Sequence, residues 1–452
     1  MNVQAAPVTA ARGADSELPP GPRLPALAQG LWLMTRPVEF FAHVRRRYGR
    51  IAHIRLAGFG HVITVTEPEL IKQIYLDAEG ARAGEASKVM QPVLGPHSLL
   101  ILDGAEHMRQ RKLILPAFHG DALRAYERTM TEIARREIAQ WPRDRAFSVR
   151  PRMQTITLEV ILQVVFGIRD QARRDQYSHA IDRLMAVSNL IGINVNSDGK
   201  LRRFSPEPLF RRRRGAVDDL IHEDIEQRQS DPGRAATDVL SMLMEARDDE
   251  GRAMTESELR DELVTMVFAG HETTATALAW AVDLLAWHPD VLERATRAAR
   301  DDDDEYIDAL VTETLRIRPV VWSTGRIVQH EMDIGGWRIP PGFRLWSPFS
   351  NLGMDPDNYD DPERFDPERF VGQSPPPYVW IPFGGGIRRC VGAAFAQVEM
   401  RIVLKELLLA GRIERAARRP ARQRMRAVTL APSGGTRVRF HPSAGTARPA
   451  PQ

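Results

Sequence analysis

The sequence predicts a mainly α fold: a large helical body with a smaller β-containing region towards the N-terminal side. Three observations predict it. From about residue 104 to 320, apolar positions recur at helical spacing, interrupted only by short polar segments. Within that stretch Thr255 opens a run that stays helical until Pro289, roughly 33 residues and about 50 Å of helix. Strand-like alternation is confined to 51–68 and to short pieces of 324–350 and 425–440.

The elements follow in chain order. Residues 38–50, VEFFAHVRRRYGR, read as an amphipathic helix ended by glycine. Residues 51–68 read as a hairpin turning at Gly58 to Gly60. Residues 81–103 have little period and read as a long mobile loop. The stretch 191–212 interrupts the helical pattern with turn residues. Asp301 to Asp304 form an acidic run expected to be a solvated loop, and a proline-rich meander follows residue 350. Residues 1–18 and 441–452 are small, polar and proline-containing, and disorder is expected there. That leaves residues 19–440 as one domain.

Composition excludes several classes. A chain of 452 residues, 43% hydrophobic and 27% charged, can bury a sizeable core, so it is not a disordered protein. A net charge of +3, dispersed along the chain, gives no nucleic-acid footprint. No run of about 18 apolar residues occurs and the first residues lack a signal-type apolar segment. No membrane anchor is therefore expected, and a cytoplasmic location is.

The chain has a single cysteine, in PFGGGIRRCVGAAFA at 382–396. One thiol makes neither an intramolecular disulfide nor a four-cysteine zinc site, so any role is as nucleophile or metal ligand. The default for a lone cysteine is an inert buried side chain. Here the surroundings favour a thiolate. Gly384, Gly385 and Gly386 permit a tight turn with positive φ. Arg388 and Arg389 bring charge, and Cys390 precedes an apolar helical run whose N-terminal amides favour an anion. Gly392, Ala393 and Ala394 would let a flat group approach the backbone. No histidine base lies nearby in sequence, which favours a ligand loop over a nucleophile.

The long helix is unusual in its middle. Thr255 and Glu258 form a capping-box pattern at its start. Ala269, Gly270, Thr273 and Thr274 are small or poor helix formers, and Glu272 lies among apolar neighbours. Loosening of the ladder there predicts a bulge and a polar notch in an apolar wall. The alternative is a buried threonine beside an ion-paired glutamate. Glu313 and Arg316, at i,i+3 in ETLR, share a helical face, a spacing that usually marks a surface pair.

Taken together, AGHETT (269–274), ETLR (313–316), PERF (367–370) and FGGGIRRCVG (383–392) resemble, in order and spacing, the cytochrome P450 family of heme-thiolate monooxygenases. The resemblance covers roughly 18–440 and implies a cytochrome P450 fold with heme b as cofactor. It implies that Cys390 is the axial iron ligand, in a signature filled by Phe383, Gly386, Cys390 and Gly392, with Phe383 packed beside the sulfur. It implies that Thr273 with Glu272 delivers protons to dioxygen, and that Ala269 and Gly270 line the oxygen groove. His107, Arg111, Arg326 and Arg388 resemble the partners of the heme propionates. Glu313 and Arg316 resemble a buried structural pair with Arg369 as third member, for which Arg364 is the rival.

The same resemblance implies O2 insertion into a small apolar substrate, lipid-, fatty-acid-, terpenoid- or steroid-like. Electrons would come indirectly from NAD(P)H through a ferredoxin reductase and a ferredoxin, and a monomer is expected. A basic face made by Arg389, Arg109 and Lys112 would dock the ferredoxin. A peroxide-driven hydroxylase and a non-catalytic heme sensor or carrier are the alternatives; Glu272 and Thr273 argue against both. The segment from Pro289 to Glu313 is short for the family, and helices there are expected to be trimmed or missing.

Overall fold

The computed structural model describes residues 18–194, 207–230, 237–426 and 429–443. Two helices, Ala26–Thr35 and Pro37–Tyr48, lead into the hairpin of strands Ile51–Leu56 and Gly60–Val65. The hairpin is in register from Ile51 opposite Val65 to Leu56 opposite Gly60. Gly58 and Gly60 sit at φ of 80° and 74°, which glycine adopts without Cβ strain. Strand Gly60–Val65 pairs in parallel with Arg344–Pro348, then antiparallel pairing adds Ser323–Val328 and Ala81–Arg82. One sheet face packs on Phe40, Phe41 and Val44; the other on Ile71 and Ile74.

The body is helical, and its axis is the helix Glu256–Trp287. Its 32 residues span about 48 Å. The capping box forms in full: the Thr255 hydroxyl accepts from the Glu258 amide, and Glu258 accepts from the Thr255 amide. The helix is apolar nearly all round because it is surrounded, with Val149–Val164, Asp304–Ile317 and Ala393–Ala410 packed on it. Trp280 is fully buried and donates to the Leu430 carbonyl at 2.7 Å.

Several expectations are corrected. Residues 81–103 are not a long loop: helices Ala83–Ser87 and Gln91–Leu94 lie within them, too short to show a period. After Pro289 two helices form, Pro289–Arg300 and Asp304–Ile317. The acidic run is a paired turn. Asp303 caps the second helix through the Tyr306 amide, and Lys405 meets Asp302 and Asp304. The long helix stays α throughout, without a bulge; the Thr273 hydroxyl instead donates back to the Ala269 carbonyl. The break at 191–212 is narrower than expected, with helix up to Asn194 and again from Glu207, and its centre lies outside the described residues. Of the expected disordered ends, 1–17 and 444–452 lie outside the described residues, whereas His441 and Pro442 close the strand Arg437–Pro442.

Candidate active site

The cysteine loop is clamped against the helix Pro68–Leu76. A Cβ on Gly386, at φ 60°, would lie 2.5 Å from the Tyr75 carbonyl oxygen. Gly385 is extended, at φ −161°, not left-handed as expected. Its missing side chain is explained by the Tyr75 ring, 2.8 Å from where a Cβ would sit. The turn closes with the Cys390 amide donating to the Phe383 carbonyl at 2.9 Å. The Phe383 ring meets Trp380 edge-on at 5.9 Å. Helix Ala393–Ala410 starts only after Gly392, its N-cap residue, so Cys390 sits just ahead of the first turn.

The Cys390 side chain is accessible, yet protein crowds it on a wider scale. Burial therefore pushes the thiol up from its usual range, while the Gly392 amide, Arg111 and Arg389 pull it down. A Cβ on Gly392 would meet no protein atom within 4 Å.

Beside this loop lies a group of cations. Arg388 reaches Asp103 and the Leu102 carbonyl, and donates to the Leu99 carbonyl at 3.1 Å. Arg111 donates to the Arg389 carbonyl at 2.7 Å. Arg326 is 5% exposed, stacks on the Tyr75 ring at 4.9 Å and donates to the carbonyl of its neighbour Gly325. His107 is 1% exposed, and its Nδ1 has no hydrogen-bond partner among the described residues. Burial, then Arg388, Arg111 and Arg326, lower the His107 pKa to about 3. Asp103 is the one carboxylate paired with this group among the described residues.

Midway along the long helix, Ala269 is exposed although most of that helix is buried, and Thr273 is half-buried beside it. Gly270 has a packing reason, since a Cβ there would lie 2.7 Å from Ile161 Cδ1. Glu272 is buried and ion-paired to Arg150, and accepts from Gln154 Nε2 at 2.9 Å. His271, held to a pKa of about 4 by burial, meets Thr157 Oγ1 at 3.0 Å. Elsewhere Glu313 and Arg316 are fully buried and pair at 2.6 Å. The Arg369 side chain, not that of Arg364, reaches Glu313, at 3.6 Å; Arg364 turns out to Asp366.

Comparison with known proteins places these features in one family. The sequence profile described as cytochrome P450 matches residues 18–436. The chain belongs to the cytochrome P450 family. A putative cytochrome P450 135B1 of Mycobacterium tuberculosis is 40% identical over 430 residues, 93% of this chain and 91% of that one. A putative cytochrome P450 138 of the same organism is 34% identical, with 93% and 96% covered. Among solved structures, a retinoic-acid-bound cyanobacterial CYP120A1 superposes with a TM-score of 0.81 at 25% identity, covering 94% of this chain and 99% of that one. The cytochrome P450DA heme domain superposes at 0.82, with 22% identity and 94% and 98% covered, and shows the shared fold. This P450 is thus a mainly α heme-thiolate monooxygenase by family.

The residues present fit a heme. Two propionates need cations, and this P450 buries His107 and Arg326 and sets the partly buried Arg111 and Arg388 near them, with one opposing carboxylate and an orphan imidazole nitrogen. Glycine at 392, which no protein atom demands, suits the close approach of a flat ring. Sequence reasoning missed Tyr75, Asp103, Arg150 and Thr157. All four act across long sequence separations, and only the glycine run, which has to press on something, hinted at Tyr75. One expectation holds only for Arg389. Arg109 is held by Asp248 at 2.6 Å and Glu258 at 2.7 Å, and Lys112 by Asp249 at 2.6 Å, so neither adds free positive charge to a docking face. No helix among the described residues is long and apolar enough to cross a membrane.

Proposed function

We propose that this P450 inserts one atom of O2 into an apolar organic substrate, with electrons reaching it from NAD(P)H through a ferredoxin reductase and a ferredoxin. The catalytic domain in this reading is residues 19–440. Heme, when bound, supplies the redox chemistry of O2 activation, and a thiolate ligand favours O–O cleavage. Cys390 would hold the iron, with Phe383 and Gly386 fixing the loop. His107, Arg111, Arg326 and Arg388 would hold the carboxylates. Thr273 Oγ1 would pass a proton into the groove beside Ala269. Glu272, behind it, would be the ionisable relay, kept in place by Arg150 and Gln154.

The observation that carries this reading is the exposed Ala269 and half-exposed Thr273 midway along a mostly buried helix, with an acid anchored next in sequence. A heme carrier or sensor has no use for that arrangement. The retinoic acid bound by the cyanobacterial neighbour supports an isoprenoid- or fatty-acid-like substrate.

The test is turnover with surrogate ferredoxin and reductase, following NAD(P)H-dependent O2 consumption and product. Wild type should couple the two. Cys390→His should keep heme, lose product formation and show the carbon monoxide spectrum of a histidine-ligated heme. Thr273→Ala should keep substrate binding but form less product per NAD(P)H. A wild type that consumes no O2 above background would reduce the protein to a carrier.

A further inference from the structure

The helix Ala26–Thr35, ALAQGLWLMT, is built inside out. Its buried positions are Gln29 and Leu33, while Leu27, Leu31 and Met34 are 76%, 66% and 58% exposed. Gln29 is fully satisfied inside: it donates to the Pro22 and Leu24 carbonyls and accepts from the Arg55 amide. The exposed leucines are therefore not a misplaced core. They lie at i, i+4 and i+7 on one stripe, extended by Leu24 at 44% exposure. The helix carries no charge at all. A surface helix with its polar residue inward and its large apolar residues outward calls for a covering.

Charge says what covers it. Exposed Arg23 and Arg36 flank the helix. Against it packs the strand Gln423–Arg426, whose Met425 and the helix's Trp32 pack on the same apolar cluster, with Arg424 donating to the Thr35 carbonyl at 3.3 Å. That strand exposes Arg424 and Arg426, and Arg418, Arg419 and Arg422 precede it, all exposed. None of these guanidiniums has an ion-pair partner among the described residues, whereas Arg109 and Lys112, on the helix beside the cysteine loop, are neutralised. The hairpin's other strand, Thr429–Pro432, joins Val320 and Val321.

We propose that this face is a peripheral membrane-binding surface that lies on an anionic bilayer. Leu27, Leu31 and Met34 enter the acyl boundary and the arginines meet phosphate headgroups. It rests on this surface alone and is independent of the substrate reading. A second copy of the chain would set arginines against arginines, which disfavours self-association. An acidic protein would match the arginines but not the uncharged apolar stripe.

The test is flotation of the full-length holoprotein with phosphatidylcholine vesicles, with and without phosphatidylglycerol, at low and high salt. Wild type should float with the anionic vesicles and less so as salt rises. Arg422→Gln/Arg424→Gln/Arg426→Gln should weaken partitioning on the order of 100-fold. Leu27→Ser/Leu31→Ser should weaken it about tenfold or more, at every salt concentration. Both should keep the wild-type carbon monoxide spectrum, because neither set touches the heme site. No flotation of the wild type, or flotation indifferent to the leucines, would overturn the proposal. So would a dimer in sedimentation that the leucine variant dissolves, which would assign the stripe to a second copy.

Discussion

Two buried charge clusters in this P450 differ in one respect. Around Glu313 the account closes for the central pair with Arg316, while the Nε of the outlying Arg369 has no hydrogen-bond partner among the described residues. Arg316 donates from Nε and Nη2 to Glu313 at 2.6 and 2.8 Å, and to the carbonyls of Pro362 and Arg364 at 2.8 and 3.1 Å. Glu313 also accepts from the Asp366 amide at 2.9 Å. Around His107 it does not close: the cations outnumber Asp103, and one imidazole nitrogen is unpartnered among the described residues. Burying charge is costly unless it is paired. Where the task is to pin the meander to a helix, the chain supplies both signs. Where a surplus of one sign is kept at that cost, the other sign comes with a ligand.

The largest test breaks the closed cluster. Arg316→Ala takes the closest cation from the fully buried Glu313 carboxylate and frees several meander carbonyls. The expected loss is about 3–5 kcal/mol, enough to leave little soluble protein, read as expression yield and thermal melting. Normal yield and an unshifted melt would mean the pair does not carry the fold.

The open cluster should respond in the opposite way. Arg326→Ala removes a buried cation that no carboxylate pairs with, so the heme-free protein should fold as well as wild type. Heme retention should suffer by the value of a charge-assisted hydrogen bond, about 1.5–3 kcal/mol. Transfer of heme to an excess of an apo-globin measures it, and should be roughly 10- to 100-fold faster. A heme-free variant that collapses as Arg316→Ala does would make the two clusters alike and remove the distinction.

The clusters also show what a sequence can disclose. The helical body was legible because long amphipathic or wholly apolar runs announce their period, and the capping box at Thr255 and Glu258 is a local code. The cysteine loop was legible for the same reason: its glycines and arginine are adjacent in the chain. What lay hidden is what the fold brings together from afar. Arg150 reaches Glu272 and Tyr75 presses on the glycine run. Asp248, Glu258 and Asp249 pair with Arg109 and Lys112, so of the expected docking cations Arg389 alone has no ion pair among the described residues. Helices of four or five residues between 83 and 94 left no period to detect. Gln29, polar and buried, defeats the binary pattern itself, because its partners are backbone groups that no pattern encodes.

The smallest effect sharpens the comparison with a third kind of buried charge, an acid with no cation. Glu262 is 1% exposed and accepts the Leu99 amide at 2.7 Å. Beside it Asp261 accepts the His97 amide at 2.9 Å, so the two acids latch residues 97–99 onto the long helix. Burial, helped by Asp261 and Glu258 and opposed by the Leu99 amide, raises the Glu262 pKa from 4.5 to about 8. Below the unfolded value both states are protonated and the neutral acid's contribution is fully present. As pH rises towards the folded value the unfolded chain gives up its proton and the native one keeps it, so stability falls across that window and levels off above it. The slope is at most about 1.4 kcal/mol per pH unit, the limit for a single proton. Glu262→Gln keeps the shape and an acceptor but cannot titrate. Urea unfolding of both proteins at pH about 5, 7 and 9 should show the wild type losing ground to the variant over the first interval and by about half as much over the second. Parallel profiles would mean Glu262 is ionised in the native protein, and that a backbone amide alone is enough to hold a buried charge there.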